Sequence, residues 1–255
     1  MLSARHFETY KNLYERQMKI QPKLIREPAM QNYNAEIKFS WTPTVTDRVL
    51  SVMKMFGLDM ERLRENQIGH KCKITLKPGS ICYITGPSGA GKSVLLRQLY
   101  ELTGQNERLD ISEITLDTDK TLIDCIKGDF FDSLKVLSRA GLSDVFTILN
   151  TPSRLSEGQK YRYRLARALL SDKKVIFADE FCSSLDRITA AVISHNIHRC
   201  VTDSGKIFVL ASSHDDLLCD LGPDVVVIKH LNGTAEVIYR DRKPVKKNFE
   251  YGQIR

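Results

Sequence analysis

A chain of 255 residues, 42% hydrophobic and 27% charged, is long enough to bury a sizeable core and is neither disordered nor fibrous in composition. No apolar run approaches the roughly 18 residues a membrane-spanning helix needs. The opening "MLSARHFETYKNLYERQMK" has no apolar signal core, so a cytoplasmic location is expected. The formal charge of +7 and the pI near 9.0 suit contact with an acidic partner, nucleic acid among them.

Taken in chain order, residues 1–31 read as polar and helical, with Pro22 and Pro28 as breakers. A strand is expected over 32–41. "TDRVLSVMKMFG" then places Val49, Leu50, Val52, Met53 and Phe56 near helical spacing, with Gly57 as the stop. Strands over 71–76 and 80–85 flank a Pro-Gly turn. Beyond them the order becomes strand and helix in alternation: helix 92–103, strand 107–116, and short helices near 120–127 and 130–140. Helix 157–171, strand 174–179, helix 187–202, strand 206–212, a short helical turn and strand 224–229 complete the series. Near-continuous apolar strands separated by helices predict a mostly parallel sheet covered on both faces, an α/β domain. The reading divides the chain into an N-terminal arm over 1–45, the main domain over 46–239 and a basic tail over 240–255. That tail carries six basic and two acidic residues.

Cysteines 72, 82, 125, 182, 200 and 219 form no CxxC pair and sit mostly among apolar neighbours. Reduced, buried thiols are expected rather than a zinc site.

"GPSGAGKS" fits GxxxxGK[ST] in full, with a strand before it and a helix after it. Its glycines let backbone N–H groups curl around phosphates, so Gly86, Pro87, Ser88, Gly89, Ala90, Gly91, Lys92, Ser93 and Val94 form a candidate nucleotide loop. Lys92 would reach the terminal phosphates and the Ser93 hydroxyl would coordinate Mg²⁺. "KVIFADEF" ends a buried strand in two carboxylates. Asp179 would support the metal through water, and Glu180 would polarise an attacking water. ATP and Mg²⁺ are the cofactors this pattern calls for. "LSEGQ" (155–159) opens an arginine-rich helix, and Ser156 with Gln159 three residues on fits a capping box. A helix start of that kind is also a ready anion site.

In order and spacing these motifs resemble the ATP-binding-cassette (ABC) ATPases over about residues 45–230. "LSEGQ" is similar to the family signature, "SSLD" (183–186) to its D-loop, and "ASSHDD" carries His214 where the family has a switch histidine. The resemblance implies a P-loop fold with a small antiparallel β subdomain and a helical subdomain, and an enzyme hydrolysing ATP to ADP and phosphate. Two copies would pack head to tail, so that Ser156, Gly158 and Gln159 of one face the nucleotide of the other. His214 would contact the γ-phosphate, Asp186 would couple the two sites, and Phe56 stands roughly where a stacking aromatic is often found, though its spacing fits core burial equally.

Three departures shape the functional expectation. Glu157 replaces a glycine of the usual signature. The region expected to hold a coupling glutamine reads "ISEITLDTDKTLIDCI", with Asp117 as its nearest polar stand-in and metal candidate. Ser93 to Leu155 spans only 62 residues, which predicts a shortened helical subdomain. More narrowly, "LSEGQKYRYRLARAL" and "ADEFCSSLDRITA" resemble a soluble subgroup found alone or fused to a predicted acetyltransferase. The expectation is therefore a soluble ABC-type ATPase acting on a partner, with nucleic acid or ribonucleoprotein suggested by the basic balance, the "QKYRYRLAR" helix and the tail. Lys160, Arg162, Arg164 and Arg167 do not form one tight stripe, and a solvated face is the other reading of that helix. The alternative is the ATPase subunit of a membrane transporter.

Overall fold

The computed structural model describes residues 30–38, 44–65, 69–117, 119–126, 128–231 and 233–240. The polar stretch 1–29 and the basic tail beyond Arg240 lie outside the described residues.

Strands β1 (Gln31–Lys38) and β2 (Gly69–Leu76) pair antiparallel along their whole length, from Gln31 opposite Leu76 to Lys38 opposite Gly69. The division drawn at residue 45 therefore cuts through a paired two-stranded sheet. The connection between the strands carries α1 (Asp47–Met55), capped by Thr46, and a short α2 (Met60–Glu65). Here the apolar spacing does not become burial. Met53 is buried, whereas Leu50, Val52, Met55 and Phe56 are exposed.

The main sheet is six-stranded, in the order β4-β5-β6-β3-β7-β8. Its members are β3 (Ile81–Thr85), β4 (Arg108–Asp110), β5 (Val175–Ala178), β6 (Ile207–Ala211), β7 (Val225–Lys229) and β8 (Ala235–Tyr239). All pairings are parallel except β7 with β8. β8 lies at the sheet edge with its side chains largely exposed, and its weak alternation hid it from the sequence reading.

Strand alternation assigns each apolar residue to a face. Ile81, Tyr83, Ile176, Phe208 and Leu210 pack under α6 (Glu157–Leu170) and α7 (Arg187–Ser204), through Leu165, Ala168, Ile193 and Ile197. Cys82, Ile84, Phe177, Val209 and Val227 face the other way, against α3 (Lys92–Leu102) and the β1–β2 pair. At about 1.5–3 kcal/mol for each large apolar side chain removed from water, these two layers supply most of the driving force.

A third cluster is the shortened helical subdomain. It joins Leu122, Ile126, Leu137, Leu142, Ile148 and Leu155 with Tyr163 and Ala166 of α6. Its helices are α4 (Phe130–Arg139), capped by Asp129, and the single-turn α5 (Val145–Ile148), capped by Asp144. The helix expected over 120–127 is instead a series of turns, because Thr121 and Asp124 bond each other's polar groups and satisfy the chain locally. The strand expected over 107–116 stops at Asp110, whose carboxylate accepts from Ser112 N and starts a 3₁₀ turn. A four-residue α8 (Leu218–Leu221) precedes β7.

Candidate active site

In the sheet, β6 lies between β3 and β5, so three neighbouring strand ends deliver three loops to one place. Together they line an open cleft of about 440 Å³. The loop after β3 brings Ser88, Gly89, Gly91, Lys92, Ser93 and Val94. The end of β5 brings Asp179 and Glu180, followed by Ser183, and the end of β6 brings Ser212 and Ser213.

Gly86 leaves β3 at φ +138°, and a Cβ built there would lie 2.2 Å from the Lys229 carbonyl oxygen of β7. Only glycine lets the loop pass so close to the neighbouring strand. Gly91 caps α3 in the left-handed region, and no side chain bonds the first-turn amides. The first turn also carries no acidic residue. The start of α3 is thus an anion site by geometry and charge. Lys92 Nζ donates to the carbonyls of Gly86 (2.8 Å) and Pro87 (3.0 Å), which curls the cation over the loop. Ala90 is buried and its N–H donates to Pro87 O, so it shapes the loop from inside.

Glu180 and Cys182 are left-handed at φ +47° and +59°, the only non-glycine residues with positive φ among those described. Each costs about 1–2 kcal/mol for an L-residue. The turn is held from several sides: Phe181 is fully buried and its N–H donates to Ala211 O. Glu180 N donates to Asp179 Oδ1, Ser183 N to Glu180 O, and Cys182 N to the Tyr161 hydroxyl. Strain over-determined in this way fixes both carboxylates at the cleft. Burial pushes the Cys182 thiol up to about 12 and the Tyr83 phenol likewise to about 12.

His214 follows the same β6 end, but it lines an adjoining depression of about 210 Å³ with Cys182, Leu185, Arg187 and Asp216 rather than the cleft itself. Its carbonyl accepts from Tyr83 Oη at 2.6 Å, and Arg187 pairs with Asp216 at 3.3 Å. Asp186 caps α7 by accepting from Thr189, which holds its carboxyl below the usual range. Asp117 is exposed, accepts from Asp119 N and does not line the cleft. Phe56, 69% exposed, is neither in the core nor at the cleft. Ser183, Ser212 and Ser213 are cleft residues that the sequence reading did not single out, although Ser183 opens the "SSLD" motif and the other two stand inside "ASSHDD".

The capping box at α6 is present in full. Gln159 N donates to Ser156 Oγ (3.3 Å), and Ser156 N donates to Gln159 Oε1 (2.9 Å). Glu157 turns outward, 78% exposed, to Lys160 at 2.7 Å, and this pairing lowers its pKa. Gly158 sits under the D-loop: a Cβ there would meet Leu185 Cδ2 at 3.1 Å. None of Ser156, Gly158 and Gln159 lines the chain's own cleft.

The α6 cations offered as a nucleic-acid surface are instead committed within the chain. Arg162 donates to the carbonyls of Gly158 and Gly141, Arg164 to Ile114 O and Arg167 to Thr115 O at 2.6 Å, while Lys160 holds Glu157.

Both residues that would hold Mg²⁺, Ser93 through its hydroxyl and Asp179 through its carboxylate, line this one cleft. A hydroxyl, a carboxylate and the phosphate oxygens suit a hard cation that takes few protein ligands. No cluster of three or more His, Cys, Asp or Glu with metal-binding placement occurs among the described residues, and no described helix is long and apolar enough to cross a membrane.

Comparison with known proteins gives one family model, "ABC transporter", over residues 70–183. The aliphatic sulfonates import ATP-binding protein SsuB 1 of Rhodococcus jostii is 30% identical over 185 residues, covering 63% of this chain and 74% of that protein. The methionine import ATP-binding protein MetN of Haemophilus influenzae is 27% identical over 212 residues, 70% of this chain and 61% of that protein. Among solved structures, the dimeric bacterial ABC transporter cassette MJ0796 matches with a TM-score of 0.52 at 19% identity, over 67% of this chain and 91% of that one. CbiO1 of Clostridium perfringens, part of a transporter complex, matches with a TM-score of 0.50 at 17% identity, over 65% of this chain and 79% of that one. At such identities the structural matches speak for the fold alone. None of these relatives points to nucleic acid. They lead to transporter ATP-binding proteins and so favour the transporter alternative over the nucleic-acid reading, while the basic tail lies outside the described residues.

Proposed function

The chain belongs to the ABC transporter family of ATP-hydrolysing cassettes, and on that premise we propose that it binds Mg-ATP in the 440 Å³ cleft, pairs head to tail with a second copy and uses hydrolysis to move a membrane-embedded partner. The observation that carries the pairing is the separation of two half-sites. The phosphate loop with Asp179 and Glu180 lines the cleft, whereas Ser156, Gly158 and Gln159 of the same chain do not. A capped helix start without access to its own nucleotide suits the nucleotide of another copy.

Within the cleft the roles follow from position. The loop amides and Lys92 hold the phosphates, and the start of α3 favours their charge. Mg²⁺, when bound by Ser93 and Asp179, neutralises charge on the phosphate oxygens. Glu180 accepts a proton from the attacking water, held in place by its strained turn. His214 sits one step outside the cleft on the β6 loop, and its role at the γ-phosphate requires that loop to turn inward.

A membrane-embedded partner is supported by the names of the relatives, which are import ATP-binding proteins, and the helical subdomain offers a surface for it. Phe130, Phe131, Val145, Phe146 and Leu149 are between 58% and 83% exposed there. A position on the cytoplasmic face of a membrane is part of the same proposal. A second reading, a stand-alone member of the soluble acetyltransferase-related subgroup, draws on the motif wording and on the absence of a glutamine from 111–126.

The test is Glu180→Gln sized with and without ATP, beside membrane fractionation of cells expressing the full chain. An ATP-dependent dimer is expected, with part of the protein on membranes and that part lost in Phe131→Asp/Phe146→Asp. A monomer at saturating ATP would refute the head-to-tail reading. A chain wholly in the soluble fraction would transfer the partner assignment to the second reading.

A further inference from the structure

The capping box that opens α6 does not stand alone. Gln159 uses its Oε1 to accept from Ser156 N, which turns its amide nitrogen toward α5. There Gln159 Nε2 reaches Thr147 Oγ1 at 3.4 Å. Thr147 in turn donates its hydroxyl proton and its backbone N–H to Asp144 Oδ2, both at 2.8 Å. Those bonds hold the Asp144 carboxyl below its ordinary range. The donor and acceptor balance is complete. With its proton committed to Asp144, the Thr147 oxygen has only acceptor capacity to offer, and the Gln159 amide is the donor that fills it. Ser156 Oγ accepts from Gln159 N, so its own hydroxyl proton is spent on none of these bonds.

The chain of bonds thus runs from the N-cap of α5, through Thr147 and Gln159, to the residue proposed to face a second copy's nucleotide. α5 divides sharply for a single-turn helix. Val145, Phe146 and Leu149 point to solvent, while Thr147 is half-buried and Ile148 is packed in the helical cluster. We propose that Thr147 is a positioning residue for the inter-subunit ATP site: its hydroxyl sets the Gln159 amide, and through it the Ser156 cap, in the orientation that receives the partner copy's phosphates. This rests on the head-to-tail reading above. It also places the exposed face of α5 one hydrogen bond from the signature motif.

The experiment uses full-length Glu180→Gln protein, with ATP as the probe. The ATP dependence of dimerisation is followed by light scattering, and nucleotide affinity of the monomer is measured by titration of a fluorescent ATP analogue at dilute protein. Thr147→Val keeps the volume and removes the hydroxyl. It is expected to weaken dimerisation about fivefold at each of the two sites, the loss that one net hydrogen bond represents. Monomer affinity for the analogue should stay at the parent value, and Thr147→Ser should restore the dimer. A merely structural role would lower the melting temperature and affect both measurements. Dimerisation of Thr147→Val at the parent's ATP concentration overturns the proposal, as does a serine variant as weak as the valine one. Thr147→Ala gives the same reading should valine crowd the turn. A Glu180→Gln parent that never dimerises refutes the head-to-tail reading itself, and is recognised because it fails before any change at Thr147.

Discussion

Gly86 and Gly89 belong to one motif and look interchangeable in sequence, yet the structure gives them different surroundings. Gly89 adopts φ +79° with nothing within 4 Å of a built Cβ, so Gly89→Ala costs only the left-handed penalty, about 1–2 kcal/mol. Gly86 adopts φ +138°, and its Cβ would lie 2.2 Å from Lys229 O, 3.1 Å from Lys229 C and 3.3 Å from Lys229 N. Ordinary contact begins near 3.4 Å, so the overlap exceeds 1 Å and falls on backbone that cannot rotate away. The conformational term of about 1–3 kcal/mol and an overpacking term of about 1–3 kcal/mol together give ~2–6 kcal/mol for Gly86→Ala. In a domain of this size each kcal/mol shifts the melting temperature by about 2–4 °C. Thermal melting of the two variants beside the parent therefore separates them: Gly86→Ala should melt clearly below Gly89→Ala. Equal melting temperatures, or the reverse order, would show that the loop does not press against β7 as described.

Other consequences are checked as directly. Ser156→Asp keeps a good N-cap but, in the proposed head-to-tail pair, would set a carboxylate toward the second copy's phosphates, so melting should be unchanged while the ATP-dependent dimer of the Glu180→Gln protein disappears. Arg164→Met with Arg167→Met removes two charge-assisted bonds to the 114–115 carbonyls. A loss of about 1.5–3 kcal/mol per bond is expected in chemical denaturation, and neither DNA nor RNA should raise the ATPase rate of the parent. Alkylation at pH 8 followed by mass spectrometry should label exposed Cys219 first and leave Cys82 and Cys182 unmodified in the folded protein. Burial raises both of those thiols, so each stays protonated until pH climbs toward its shifted value, and the reactive thiolate is scarce below it.

The strands, the large helices and the phosphate loop were legible in the sequence because their signals are local. An apolar run such as "KVIFAD" or a glycine pattern such as "GPSGAGKS" needs no knowledge of distant residues. What escaped depends on tertiary context. β8 is half-exposed and its pairing with β7 is set by the sheet edge, not by its own alternation. Phe56 lies on an apolar helical spacing that ordinarily signals burial, but α1 sits in the connection between two strands and leaves that face open. That His214 lines the depression beside the cleft, with Arg187 and Asp216, is likewise a matter of tertiary context. The α6 arginines were read as a surface because charge along a helix says nothing about whether carbonyls wait beside it.

Those arginines also join the head of α6 to the helical subdomain. α6 is a shared wall: Leu165 and Ala168 pack into the core beneath the sheet, whereas Tyr163 and Ala166 pack into the helical cluster. Arg162 ties the Gly158 carbonyl to Gly141 at the end of α4, and Arg164 and Arg167 grip the 114–115 segment that leads from the sheet into the helical subdomain. Ser156 at the head of α6 is thereby joined to α4, α5 and the entry loop by hydrogen bonds that a rigid displacement preserves. The phosphate loop leads instead into α3, whose Leu95, Leu96 and Leu99 pack on the opposite face of the sheet. If the proposed function holds, the exposed aromatics of the helical subdomain are linked by hydrogen bonds to the signature residues more directly than to the phosphate loop.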